Sequence, residues 1–345
     1  MTGLDDLSER ETRVLESIIQ LYIETAEPAG SHAVAKRSRL GISSASIRNT
    51  MSELETRGFV YHAHTSGGRI PTDLGYRTYV NNLTSHAPPS EHEQERLASE
   101  IVDSGNTIDQ ILRRAALVLG VLTQELGVAV APALDAAVLE RVELVRVSSE
   151  RLLVVLSLHS GGLRTIFIEV PGTVETEIVE RVGRILNERL VGLTLARIRS
   201  TIGERLRDAD GPGAGTALLN VFVAQGEDLF DLDPGQESVV LGSAQPLADQ
   251  PEFASNDRIR DLLSLTERRD LLRAAFERHR RRGLTITIGT ENADPRLAEF
   301  TLVTSPYRRG GLTGVVGVIG PTRMPYEKII GLVEHTSRLV EGLLS

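Results

Sequence analysis

The chain has no cysteine and no tryptophan, and aromatic residues make up only 4% of it. Without cysteine there is no disulfide framework, no thiolate metal site and no thiol nucleophile. Lysine is nearly missing: of 38 basic residues, all but Lys36 and Lys328 are arginine. That bias hints at GC-rich coding and says nothing of mechanism. No apolar run reaches the roughly 18 residues a membrane span needs. The opening Met1-Thr-Gly-Leu-Asp-Asp6 also lacks the basic and apolar regions of a secretory signal. A soluble, cytoplasmic chain with no membrane partner is the expectation. Neither a Gly-x-Ser-x-Gly elbow nor a His-Glu-x-x-His helix occurs. His86, His92, His159, His279 and His335 form no catalytic pattern with carboxylates. An enzyme is therefore not expected, and neither is a cofactor.

At 345 residues, 41% hydrophobic and 25% charged, the chain reads as an ordinary globular protein of two or three domains. Its net charge of −9 argues against a nucleic-acid partner until the charge is counted locally. Between Ser31 and Val80 lie Lys36, Arg37, Arg39, Arg48, Arg57, Arg69 and Arg77 against Glu53, Glu55 and Asp73, a net +4. The remainder carries −13. Such asymmetry suits one module that touches DNA on a body that does not.

The first 83 residues carry dense structural signals. Ser8-Glu-Arg-Glu11 is a capping box, and Leu15, Ile18, Ile19, Tyr22 and Ile23 follow at helical spacing. Glu27-Pro-Ala-Gly30 breaks that helix. Ser31 is expected to cap a short helix to Ser38, and Ser43 or Ser44 a third to Arg57, with Gly58 beyond its end. Phe59–His62 and Arg69-Ile70 read as strands around a Thr65-Ser-Gly-Gly68 turn, and Thr72 caps a last helix to Leu83. Three helices and a hairpin are the order of a winged helix-turn-helix, residues 1–84. Residues 85–90 have the composition of a linker.

Beyond it, helices are expected over Glu91–Gln124, Glu175–Leu190 and Tyr326–Leu344. Strands are expected near Gly127–Ala131, Leu139–Val147, Arg151–Leu158, Leu163–Val170, Leu284–Ile288, Glu299–Thr304 and Gly314–Ile319. This suggests an α+β domain, 91–191 plus 283–345, split by an insert at 192–282 whose last helix spans Ile259–Arg281. The glycine-rich Arg308–Gly317 lacks the Gly-Lys-Ser/Thr ending of a P-loop, so hairpin glycines are the better reading.

In the third helix, Ile47, Met51 and Leu54 share one side, and Ala45, Asn49, Ser52 and Thr56 the other, flanked by Ser46 and Arg48. Small and amide-bearing residues allow a helix to lie deep in the major groove. There Asn can pair bidentately with adenine and Arg with guanine. Ser44, Ser46, Arg48, Asn49 and Ser52 are thus candidate DNA contacts; the plain alternative is a solvated face. Thr65, Ser66 and Arg69 at the hairpin suit phosphate or the minor groove. His62 and His64 could share a strand face, but nothing nearby completes a metal site, and phosphate contact or exposure is the better reading.

Tyr22-Ile-Glu-Thr-Ala-Glu-Pro-Ala-Gly-Ser31, Ser44-Ala-Ser-Ile-Arg-Asn49, His64-Thr-Ser-Gly-Gly-Arg-Ile-Pro-Thr-Asp73 and Gly75-Tyr-Arg77 resemble the heat-inducible transcription repressor (HrcA) family. Ile319-Gly-Pro-Thr-Arg-Met-Pro-Tyr326 extends the likeness more loosely. The resemblance implies a homodimer on an inverted-repeat operator near chaperone promoters, a GAF-like central domain without a known chromophore, and an inserted dimerisation domain. It also implies modulation by the chaperonin. One departure is Thr50, where an acid is expected; on the flank of its helix it should matter little to reading. The competing readings are a regulator sensing a small molecule through the GAF-like domain, and an enzyme or adaptor whose winged helix only mediates protein contacts.

Overall fold

Ser8 begins the fold as its spacing to Glu11 predicts. In the computed structural model, which describes residues 7–63, 67–83, 88–102, 107–159, 162–170, 174–207, 214–231 and 238–344, the Ser8 hydroxyl accepts the Glu11 amide. The Glu11 carboxylate in turn accepts the Ser8 amide, and helix α1 (Glu9–Thr25) follows. Its buried stripe is Val14, Leu15, Ile18 and Ile19. Two helices pack on it, α2 (Ser31–Ser38) and α3 (Ser44–Thr56). Ser43, not Ser44, caps α3, accepting the Ser46 amide at 3.2 Å. The cap of α2 also differs from expectation. Gly30 holds the extended N-cap conformation without a side-chain bond, so Ser31 already lies inside the first turn.

Strands β1 (Val60–His62) and β2 (Arg69–Pro71) pair antiparallel, His62 opposite Arg69 and Val60 opposite Pro71. The Thr72 hydroxyl then accepts the Gly75 amide at 3.1 Å and starts α4 (Asp73–Asn81). Of the expected linker, only residues 88–90 are described. The Ser90 hydroxyl accepts the Glu93 amide at the start of α5 (Glu91–Val102). Next come α6 (Ile108–Thr123) and β3 (Leu126–Val130), a strand buried along its whole length.

The chain continues with β4 (Leu139–Arg146), β5 (Arg151–Leu158), β6 (Leu163–Glu169), α7 (Thr176–Leu190), α8 (Leu195–Leu206), α9 (Ala214–Ala224) and α10 (Gly226–Leu229). After these come β7 (Val239–Leu241), α11 (Gln245–Ala248), α12 (Asn256–Glu267), α13 (Arg269–Glu277), β8 (Thr285–Ile288), β9 (Phe300–Arg309), β10 (Leu312–Pro321) and α14 (Tyr326–Leu344). Gly310 and Gly311, both at positive φ, make the β9–β10 turn, so the glycine-rich stretch belongs to a hairpin.

Two units emerge. One comprises Met1–Val130, Val239–Pro306 and Val315–Val340; the other comprises Ala131–Ser238, Tyr307–Gly314 and Glu341–Ser345. The first contains a five-stranded sheet ordered β7-β3-β10-β9-β8. Under it, Leu126, Val128, Val315 and Ile319 pack with Leu262, Leu272 and Phe276. The second contains the sheet β4-β5-β6, whose Leu152, Val154 and Leu156 join Val182, Leu186, Ile198 and Phe222 in a separate core.

This division does not fall at 192 and 282. The reason is β7, too short at three residues to show a period in the sequence. It pairs with β3, Val128 opposite Leu241, and returns the chain to the five-stranded sheet, so α12 and α13 build that core. Strands β4–β6, expected within the GAF-like domain, instead form a sheet of their own. The long helix expected over Ile259–Arg281 is two helices, broken at Arg268 where ψ is 66°.

Candidate nucleic-acid interface

Helix α3 turns its apolar side inward. Ile47, Met51 and Leu54 are buried, while Ala45, Arg48, Asn49, Ser52 and Thr56 are exposed and Ser44 and Ser46 half-buried. The Ser52 hydroxyl donates to Arg48 O and the Thr56 hydroxyl to Ser52 O, which folds both short side chains against the helix. Among the described residues, neither Arg48 nor Asn49 has an intramolecular polar partner for its side chain. A low ridge results, with two long hydrogen-bonding groups standing free, the shape a major groove admits. Thr50 is fully buried, its hydroxyl donating to Ser46 O at 3.3 Å. It lies beneath the helix rather than on its flank.

Arg69 departs from expectation. Only 8% of it is exposed, and its Nη2 donates to Glu55 Oε2 at 2.7 Å. Its amide and carbonyl pair with Ala29. Its side chain turns to Glu55 on α3, whereas His62, its partner across the ribbon, is exposed. As placed, its guanidinium braces the hairpin against α3 and does not reach outward. His64, Thr65 and Ser66 lie outside the described residues.

The local charge surplus is also thinner than the count. Arg37 pairs with Glu24, Arg57 with Glu11, Arg69 with Glu55 and Arg77 with Glu291. Three of those acids lie outside the Ser31–Val80 window, so sequence counting could not see them. Lys36, Arg39 and Arg48 remain exposed and without an ion pair among the described residues. A further cation joins them: exposed Arg10 of α1 donates to Ser46 O at 2.9 Å, beside the first turn of α3. The two are 36 positions apart in the sequence, and only the packing of α1 on α3 brings them together. An exposed helix N-terminus beside a guanidinium suits phosphate.

Among the described residues, no group of three His, Asp or Glu is placed to hold a metal ion. No described helix is long and apolar enough to cross a membrane.

Residues 109–330 match the family described as "HrcA protein C terminal domain". The heat-inducible transcription repressor HrcA of Chlorobium phaeovibrioides (strain DSM 265 / 1930) is 38% identical over 356 residues, covering 99% of both chains. That of Chlorobium phaeobacteroides (strain BS1) is 39% identical over 352 residues, again covering 99% of each. A crystal structure at 2.2 Å titled only as a hypothetical protein is similar in fold, with a TM-score of 0.58 at 24% identity, covering 98% of this chain and 99% of that one. The chain belongs to the family of heat-inducible transcription repressors, HrcA.

Proposed function

We propose that the chain represses transcription of chaperone operons by binding an inverted-repeat operator as a homodimer, each subunit laying α3 into one major-groove half-site. The observation that carries this reading is the exposed ridge Ala45, Arg48, Asn49 and Ser52, held outward by buried Ile47, Met51 and Leu54. Residues 7–83 are read as a winged helix-turn-helix: α3 is the recognition helix and the β1–β2 hairpin the wing. Arg48 and Asn49 contact bases, Ser44, Ser46 and Ser52 line the approach, and Arg10, Lys36 and Arg39 meet phosphate. Thr65 and Ser66 are kept as wing contacts on their sequence position alone.

A regulator of this class acts without catalysis, and no cofactor enters the reading. The five-stranded domain is read as GAF-like. The dimer is assigned to the exposed face of β4–β6. There Val145, Leu153 and Phe167 stand in one cross-strand row, with Phe167 59% and Leu163 66% exposed. A patch of this kind marks an interaction surface, and a two-fold dimer dictates a palindromic site. Chaperonin binding would stabilise the DNA-competent form by mass action.

The test is a gel shift on the upstream region of the organism's own chaperonin operon, with and without chaperonin. A specific shift strengthened by chaperonin is expected. No shift on any inverted repeat would overturn the reading. A shift unaffected by chaperonin would remove only the modulator.

A further inference from the structure

The segment Ile319–Tyr326, prominent in the sequence, bonds to α1 and packs on α4 within one unit. Arg323 is its centre. The guanidinium grips Glu252 with two bonds, Nε to Oε1 at 2.5 Å and Nη2 to Oε2 at 3.0 Å. Its Nη1 donates to Ile23 O at 2.6 Å, a carbonyl in the last turn of α1 where the helix dipole is negative. Three residues on, fully buried Tyr326 packs its ring 5.9 Å from Tyr76 and 6.4 Å from Tyr79 of α4.

A second brace lies on α4 as well. Arg77 pairs with Glu291 and donates to Ile286 O at 2.7 Å. Asp73 accepts from both the amide and the hydroxyl of Thr290 at 2.9 Å. Gly289, at φ +53°, is required beside it: a Cβ there would overlap the Asp73 carboxylate.

From these contacts we infer that Arg323, with Glu252, is a positioning residue that fixes the angle at which each subunit presents α3 to its half-site. The inference rests on the operator-binding reading above. A module tied to its body only by a flexible linker tolerates many half-site spacings. One held through both α1 and α4 demands a spacing set by the protein, about 34 Å or multiples of it for a symmetric dimer. A bidentate Arg–carboxylate pair with a third bond to a helix C-terminus supplies that direction. Lys cannot reproduce the fork.

The cysteine-free chain permits a direct test. Spin labels are placed at Glu53→Cys on α3 and Asp261→Cys on α12, and their separation is measured with Arg323, Arg323→Lys, Arg323→Ala or Glu252→Gln, each confirmed folded by thermal melting. A narrow distance distribution is expected with Arg323, a broad one with Arg323→Ala and Glu252→Gln, and an intermediate one with Arg323→Lys. On inverted repeats of altered spacing, the unlabelled chain should prefer one spacing by roughly tenfold or more, and Arg323→Ala should reduce the preference to about twofold, as lost geometry lowers effective concentration. Equal distance distributions in all folded variants overturn the inference. Because that measurement uses no DNA, it decides the clamp even where the unsubstituted chain binds no operator, an outcome that overturns the repressor reading instead.

Discussion

Arg69 and Glu55 form an ion pair across the junction of the β1–β2 hairpin and α3, Nη2 to Oε2 at 2.7 Å, with the Arg69 side chain 9% exposed and that of Glu55 34%. The two partners are therefore unequal. Removing the arginine leaves a carboxylate that water can reach; neutralising the acid strands a buried cation. Arg69→Met is expected to cost about 1–2 kcal/mol and Glu55→Gln about 3 kcal/mol or more, read by urea unfolding. Arg69→Met should leave the salt dependence of DNA binding unchanged. A slope reduced by about one would mean that Arg69 reaches phosphate after all.

Arg48 and Asn49 are expected to carry specificity. Replacing either by Ala should weaken operator binding by about 1–3 kcal/mol and binding to random DNA hardly at all, measured by fluorescence anisotropy. Equal losses on both DNAs would reassign these side chains to phosphate.

Tyr76 is almost wholly buried, and its hydroxyl has no hydrogen-bond partner among the described residues. Burial pushes its ionisation well above the usual range, so the ring stays neutral at any ordinary pH. Tyr76→Phe removes an unsatisfied group and keeps the packing on Tyr326. Stability should stay level or rise by up to about 1 kcal/mol in chemical denaturation; a clear fall would reveal a hidden partner.

Two glutamates should bend the pH profile in opposite directions. Glu93 is held at about 2 by its bond to Lys328 and those to Ser90. Its contribution is complete above the unfolded value near 4.5 and lost as pH falls toward 2. Glu125 is buried with one bond from Gln250, and desolvation raises its carboxyl well above the carboxylate range. Its contribution is complete below the unfolded value and declines as pH rises through the folded one. Glu125→Gln should therefore flatten thermal stability on the neutral and alkaline side, and Glu93→Gln on the acid side. Unaltered melting profiles in either variant would refute the corresponding assignment.

The β4–β6 face supplies the last test. Phe167→Glu should leave each subunit folded, because the ring lies outside the core, yet shift sedimentation from dimer to monomer. A persistent dimer would place the interface elsewhere.

Most of the local structure was legible in the residues alone, because caps, breakers and apolar spacing act over a few positions. Ser8 with Glu11, Thr72 before α4, Gly58 at φ +79° after α3 and the outward ridge of α3 all follow from short-range rules. What the sequence could not determine depends on partners far along the chain. The hairpin position of Arg69 suits a wing contact, and its pairing with Glu55 depends on how the hairpin packs on α3. Arg10 gained meaning only where α1 meets Ser46. Val239 begins a segment of the first compact unit because three residues, Val239–Leu241, pair with a strand over a hundred positions earlier. Sequence alone determined which surface of α3 is polar, since helical periodicity sorts side chains without help from the rest of the chain. Tertiary structure alone decided which charges remain free and what holds the module in place, since ion pairing and burial are set by distances that no spacing in the sequence encodes.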